Sequence, residues 1–90
     1  MPTVRFTYAL KRFFPTLREM EIQAATLPEL LDEVEAAFPG LKNYVLDERG
    51  SLRKHVNIFV NGSLIADREK LSDPIGEDCE VFIMQALSGG

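Results

Sequence analysis

The fold turns on Ala25–Phe38, ATLPELLDEVEAAF. Leu27, Leu30, Leu31, Val34 and Phe38 fall at i, i+3, i+4, i+7 and i+11 and form one helical stripe. Asp32, Glu33 and Glu35 take the opposite face. Thr26 followed three residues later by Glu29 is a capping box: the hydroxyl accepts the Glu29 backbone N–H while the glutamate side chain reaches back. Pro28 sits in the first turn, where its missing N–H costs little. Pro39-Gly40 then ends the helix. A helix with a single apolar stripe must bury it against something else, so the flanking segments have to supply a surface.

On the N-terminal side, residues 2–10, PTVRFTYAL, alternate with period two. Val4, Phe6 and Tyr8 lie on one side and Thr3, Arg5 and Thr7 on the other, which predicts a strand. Phe14-Pro15 breaks it, and a second strand is expected over Leu17–Ile22 with Met20 and Ile22 as its apolar set. On the C-terminal side, residues 41–54 fit either a loop or a helical turn through Leu41, Tyr44 and Val45 before Gly50. HVNIFVNG (55–62) is a strand ending in an Asn61-Gly62 hairpin turn. SLIA (63–66) is a short return strand, DREKLSDPIGED (67–78) a polar connection anchored by Leu71 and Ile75, and CEVFIMQA (79–86) the closing strand.

The order strand, strand, helix, strand, short strand, strand excludes a doubly wound parallel sheet. It predicts an α+β domain spanning 1–90. One main helix covers one face of a mixed sheet of four to five strands, and a flexible tail follows at 86–90. In the β-grasp arrangement that meets these conditions, the first and last strands lie parallel and adjacent in the centre.

Composition narrows the class. Ninety residues, 46% apolar and 27% charged, suit one small globular unit. No stretch approaches the roughly 18 apolar residues of a membrane span, and Arg5, Lys11 and Arg12 interrupt any signal-peptide core. A soluble, cytoplasmic, monomeric protein is expected, away from membranes. The lone Cys79 fits a reducing compartment. A net charge of −4 argues against nucleic acid as the main partner, although LKRFFPTLR (10–18) gathers Lys11, Arg12 and Arg18 beside two phenylalanines.

Alternation also sorts the sheet faces. If Val56, Ile58, Val60, Val81 and Ile83 face the helix, then Phe59, Phe82 and Met84 stand on the open face. The alternative is a closing strand buried on both sides. With one helix there is nothing to cover the second face, so an exposed apolar interaction patch is expected. His55 and Cys79, the only residues of their kinds, are read as a half-exposed strand start and a small apolar packing group rather than a nucleophile and base. Glu77-Asp78 reads as a turn, and the few His and Cys residues do not make a metal site.

The chain closes on QALSGG (85–90). A strand–turn of the form V-N-x-x-V-N-G in HVNIFVNG, then GEDCEVFIMQALSGG (76–90) with its closing strand and Gly-Gly, resembles the ubiquitin-like sulfur carriers. These are the thiamine carrier ThiS, the small subunit of molybdopterin synthase, and the carriers that feed cysteine synthesis. RKHVNIFVNG leans toward the last. Two positions depart from the pattern: Gln85 where proline is frequent, and Leu87-Ser88-Gly89-Gly90 where Val-Ala-Gly-Gly is frequent.

The resemblance implies a protein cosubstrate rather than an enzyme. A ubiquitin-activating-type enzyme would adenylate the Gly90 carboxylate with ATP, the product would become a thiocarboxylate, and a sulfur-acceptor enzyme would consume it. No cofactor would be bound. A free α-carboxylate, with a pKa near ~3.5, is ionised at neutral pH but is a poor acyl electrophile, hence the need for ATP. Gly90 would react, and Gly89, Ser88 and Leu87 would thread into the partner, with Phe59, Phe82 and Met84 as docking residues. Two other readings remain open: a ubiquitin-like modifier joined through Gly90 to lysines, and a plain interaction domain.

Overall fold

The structure, a computed structural model, describes residues 1–85. Its elements are β1 (Thr3–Phe6), α1 (Tyr8–Lys11), β2 (Met20–Glu21), α2 (Leu27–Ala37), α3 (Leu41–Val45), β3 (Val56–Val60), β4 (Ser63–Leu64) and β5 (Glu80–Gln85). The strands form one sheet in the order β2-β1-β5-β3-β4. β1 and β5 are parallel at its centre, Val4 opposite Val81 and Phe6 opposite Ile83, and the other pairs are antiparallel. This is the β-grasp arrangement that the order of elements predicts.

The helix stripe holds the core together. Leu27, Leu30, Leu31 and Val34 of α2, with Phe38 just beyond it, pack in one cluster with Val4, Val56, Ile58, Val81 and Ile83. Each fully buried aliphatic of this kind contributes about 1.5–3 kcal/mol relative to exposure. The Thr26 hydroxyl accepts from Glu29 N–H at 3.2 Å, and the Glu29 carboxylate accepts from Ala25 N–H at 2.9 Å. The box therefore closes one residue earlier than its usual form. The ambiguous 41–54 region folds as α3 and then a loop closed by a Leu46–Leu52 bridge around Gly50. Glu35 joins the two helices by accepting N–H bonds from Gly40 and Lys42, each 2.8 Å. Those two bonds hold its carboxyl below the usual range despite some desolvation.

Four expected strands are corrected. The first ends at Phe6 rather than running to residue 10. Thr7 N–H makes the last ladder bond to Ile83, after which Leu10 N–H bonds back to Thr7 and Phe14 N–H to Leu10. That turn buries Leu10 completely and leaves Tyr8 81% exposed, so Tyr8 does not share a face with Val4. Alternation could not separate the two outcomes, because either route buries Leu10. The second strand shrinks to Met20–Glu21. Leu17 is buried through a turn onto Phe14, and Ile22 through a single bond to Pro2, rather than through strand pairing. The return strand covers Ser63–Leu64 alone, although Ile65 N–H still bonds to Ile58. The closing strand starts at Glu80 rather than Cys79, and Ala86 lies outside the described residues. Among the described residues, no helix is long and apolar enough to cross a membrane.

Candidate functional site

The site begins at the Asn61-Gly62 turn. Both residues take positive φ, +50° and +85°, as a type I′ hairpin requires. A two-residue turn fixes register: Val60 pairs with Ser63, and Phe59 with Leu64. On the other side of β3, Phe59 pairs with Phe82 and Asn57 with Met84. Leu64, Phe59, Phe82 and Met84 therefore share the face turned away from α2. Leu64 is 55% exposed and Phe82 37%, whereas Val81 and Ile83, alternating with Phe82 on β5, are fully buried. The Phe59 and Phe82 rings lie 6.4 Å apart.

Phe59, Phe82 and Met84 line a groove of about 380 Å³, edged by Arg5, Gly62 and Glu80. Arg5 bridges Glu19 and Glu80 and so closes the β2 side of the groove with an exposed ion pair on each arm. Beside Met84, its partner Asn57 is held by Arg68. Its guanidinium donates to the Asn57 side chain at 2.8 Å and to the carbonyls of Arg53 and Val56 at 2.8 and 2.9 Å.

The loop that carries Arg68 is built on two carboxylates. Asp67 accepts from the Ser72 hydroxyl and from the N–H groups of Lys70, Ser72 and Glu69, which bring its pKa down to about 2. Asp73 accepts from Ala66 and Asp67 N–H, and its carboxyl is lowered for that reason. The loop buries Leu71 in a left-handed conformation, φ +56°.

β5 ends at a second device. Gln85 pairs with Val56, donates its N–H to the Thr7 hydroxyl at 3.3 Å and its side-chain amide to the Tyr44 hydroxyl at 3.3 Å. Tyr44 is held by Phe13 and Phe14, ring centroids 5.1 and 5.9 Å away. The carbonyl end of the Gln85 amide is buried with no hydrogen-bond partner among the described residues. A proline here would lack both donors.

The structure thus brings Phe59, Phe82 and Met84 onto one open face, as alternation predicts. The expected reactive Gly90, with the threading residues Leu87, Ser88 and Gly89, lies outside the described residues. Sequence reasoning missed Leu64, Arg5 and Arg68 as members of the site. The Asn61-Gly62 turn could have supplied Leu64, because its register alone puts Leu64 opposite Phe59. Cys79 is buried just before β5 starts, and exposed His55 precedes the β3 residue opposite Gln85. The length of a strand separates them, about 3.3 Å per residue, so they form no nucleophile–base pair. Among the described residues, no three His, Cys, Asp or Glu side chains are grouped to hold a metal.

Comparison with known proteins matches this architecture. The family model described as the ThiS family matches residues 11–90. Small archaeal modifier protein 3 of Haloferax volcanii is 26% identical over 88 residues, covering 88% of this chain and 95% of that protein. The structure superimposes with a TM-score of 0.83 on a chain of the Amycolatopsis orientalis BexX/CysO complex, at 24% identity and full coverage of both chains. It superimposes with a TM-score of 0.82 on Mycobacterium tuberculosis CysO, at 24% identity, covering 97% of this chain and all of that one. A ubiquitin-like β-grasp body whose closing strand leads from an uncovered apolar face into a Gly-Gly sequence, matched over 80 of its 90 residues, places this chain in the ThiS family of small carrier and modifier proteins.

Proposed function

We propose that this chain is a sulfur carrier whose Gly90 carboxylate is the reacting group. A carboxylate oxygen attacks the α-phosphorus of ATP in an adenylating enzyme, releasing pyrophosphate and leaving an acyl-adenylate. A sulfide donor then displaces AMP and leaves a thiocarboxylate, which a second enzyme consumes. ATP belongs to the activating partner; the carrier binds no cofactor of its own and works as a cytoplasmic monomer. Gly90 lacks a Cβ, so a partner can close around its carbonyl, and Gly89 and Ser88 keep the approach narrow.

The observation that carries this reading is the two-sidedness of β5. Val81 and Ile83 anchor the strand in the core while Phe82 and Met84 are offered on the open face, on the strand that leads into the glycines. Ordering a tail inside a partner costs about 1–2 kcal/mol per residue. An apolar docking surface next to the tail supplies the offset. That a relative of CysO type is found in complex with another protein, BexX, agrees with a life spent docking.

The test is intact-mass measurement after incubation with the adenylating enzyme, ATP and a sulfide donor. The expected result is the mass gain of sulfur replacing oxygen at the terminus, lost on deletion of Gly89-Gly90. A mass that never changes defeats the carrier reading.

The modifier reading is favoured by one observation, the 26% identity to a protein named as a modifier. It predicts Gly-Gly remnants on host lysines, and their absence under stress would remove it. If deleting Gly89-Gly90 leaves cellular function intact, the plain interaction domain replaces both.

A further inference from the structure

Charge is distributed very unevenly about the root of the tail. Three segments converge on Gln85: 7–18 through the Thr7 hydroxyl, 38–46 through the Tyr44 hydroxyl, and 52–64 through pairing with Val56. Together they hold six of the ten Lys and Arg residues (Lys11, Arg12, Arg18, Lys42, Arg53 and Lys54) and none of the 14 Asp and Glu. These three segments thus carry +6, with Asp32 beside Lys42 and Asp47 near Arg53 at their margins. The remaining four cations and all 14 acids give the rest of the chain −10, which together make the net −4.

Part of that positive charge is already engaged. Lys42 is paired with Asp32, and Arg18 lies over the Phe38 ring at 5.9 Å. Lys11, Arg12, Arg53 and Lys54 are exposed, beside exposed Tyr8 and Phe13. We infer that this end is a cationic collar that steers the carrier onto an acidic protein surface, namely the rim of the opening through which the adenylating enzyme admits the tail. The inference rests on the carrier reading.

Two features select a protein over a nucleic acid. The collar is a cap on an otherwise strongly acidic body, which a long polyanion would repel along most of its length. Arg12 and Arg53 also share this end with exposed Tyr8 and Phe13, residue types that protein interfaces favour. Such one-signed patches raise association rates 10- to 1,000-fold and lose that gain as salt rises.

The experiment measures the association rate and the ATP-dependent adenylation of the carrier by its purified adenylating enzyme, at low and high ionic strength. Variants are Lys11→Glu with Arg12→Glu, Lys54→Glu, and a control at the acidic end, Glu33→Lys with Glu77→Lys. The collar variants should associate at least tenfold more slowly at low salt, with KM raised, kcat unchanged at saturation, and the difference erased at high salt. The control should not slow. Melting temperatures, which should match wild type in all variants, separate a steering defect from misfolding.

If wild type and collar variants turn over alike, or the control loses as much, the collar is overturned while the carrier reading stands. If wild type is never adenylated at any salt, the carrier reading falls and takes the collar with it. Tighter binding of a short DNA duplex than of the enzyme at the same salt overturns the choice of a protein partner.

Discussion

The two faces of the sheet are made by the same strands and behave as different materials. On the covered face, Val4, Val56, Ile58, Val81 and Ile83 meet the leucines of α2 and are all but completely buried. On the open face, one residue along, stand Phe59, Phe82, Met84 and Leu64, with Arg5 at the edge and Asn57, held by Arg68, beside Met84. The hydrophobicity of the two sets is similar. What separates them is that a single helix has only one stripe, so it covers only one side. An apolar side chain on the covered face stabilises the fold. One on the open face holds that free energy in reserve until a partner removes it from water.

Substitutions test that division. The largest loss is expected from Ile83→Ala on the covered face of β5, about 2–5 kcal/mol in urea unfolding, because the cavity forms under a rigid helix. A small loss there would mean that α2 does not clamp the sheet. Thr26→Ala should cost about 1 kcal/mol by removing the hydroxyl that accepts Glu29 N–H, with the denaturant slope unchanged.

Asp67→Asn comes next and is pH-dependent. The folded carboxyl, at about 2, lies below its unfolded value, so its contribution is fully present above pH ~4 and disappears as pH falls toward 2. The variant should melt below wild type at neutral pH, with the gap closing over that acidic window. A gap that persists at pH 2 would show that the carboxylate's hydrogen bonds do not order the loop. The smallest stability change is expected from Phe82→Glu, about 1 kcal/mol or less, while binding to the adenylating enzyme weakens. If Phe82→Glu unfolds the protein, the open face is part of the core and the division fails.

The features legible in the sequence are those written in local spacing. The α2 stripe and its cap need only fourteen consecutive residues, and the Asn61-Gly62 turn needs two. Strand order then followed from the count of helices. The features that escaped depend on partners distant in sequence. Leu10 draws the chain into a helical turn because a core pocket awaits it, which period two in Val4, Phe6 and Tyr8 cannot reveal. Arg68 is committed to the carbonyls of Arg53 and Val56, groups every residue possesses, so no spacing marks it. Leu71 adopts positive φ without being glycine, held there by a loop wound on Asp67 and Asp73. The cationic residues were visible singly, but their gathering around Gln85 required the register of three separate segments.

The parallel pairing of β1 with β5 sets Thr3 beside Glu80, nearly the whole chain apart in sequence. Closing so long a loop is entropically slow, and among the described residues β5 alone joins β1 to β3. A chain interrupted before that strand cannot bring its two hairpins together, so it is left to proteolysis as an open polypeptide. The strand that leads into the Gly-Gly sequence is thus also the one that completes the sheet.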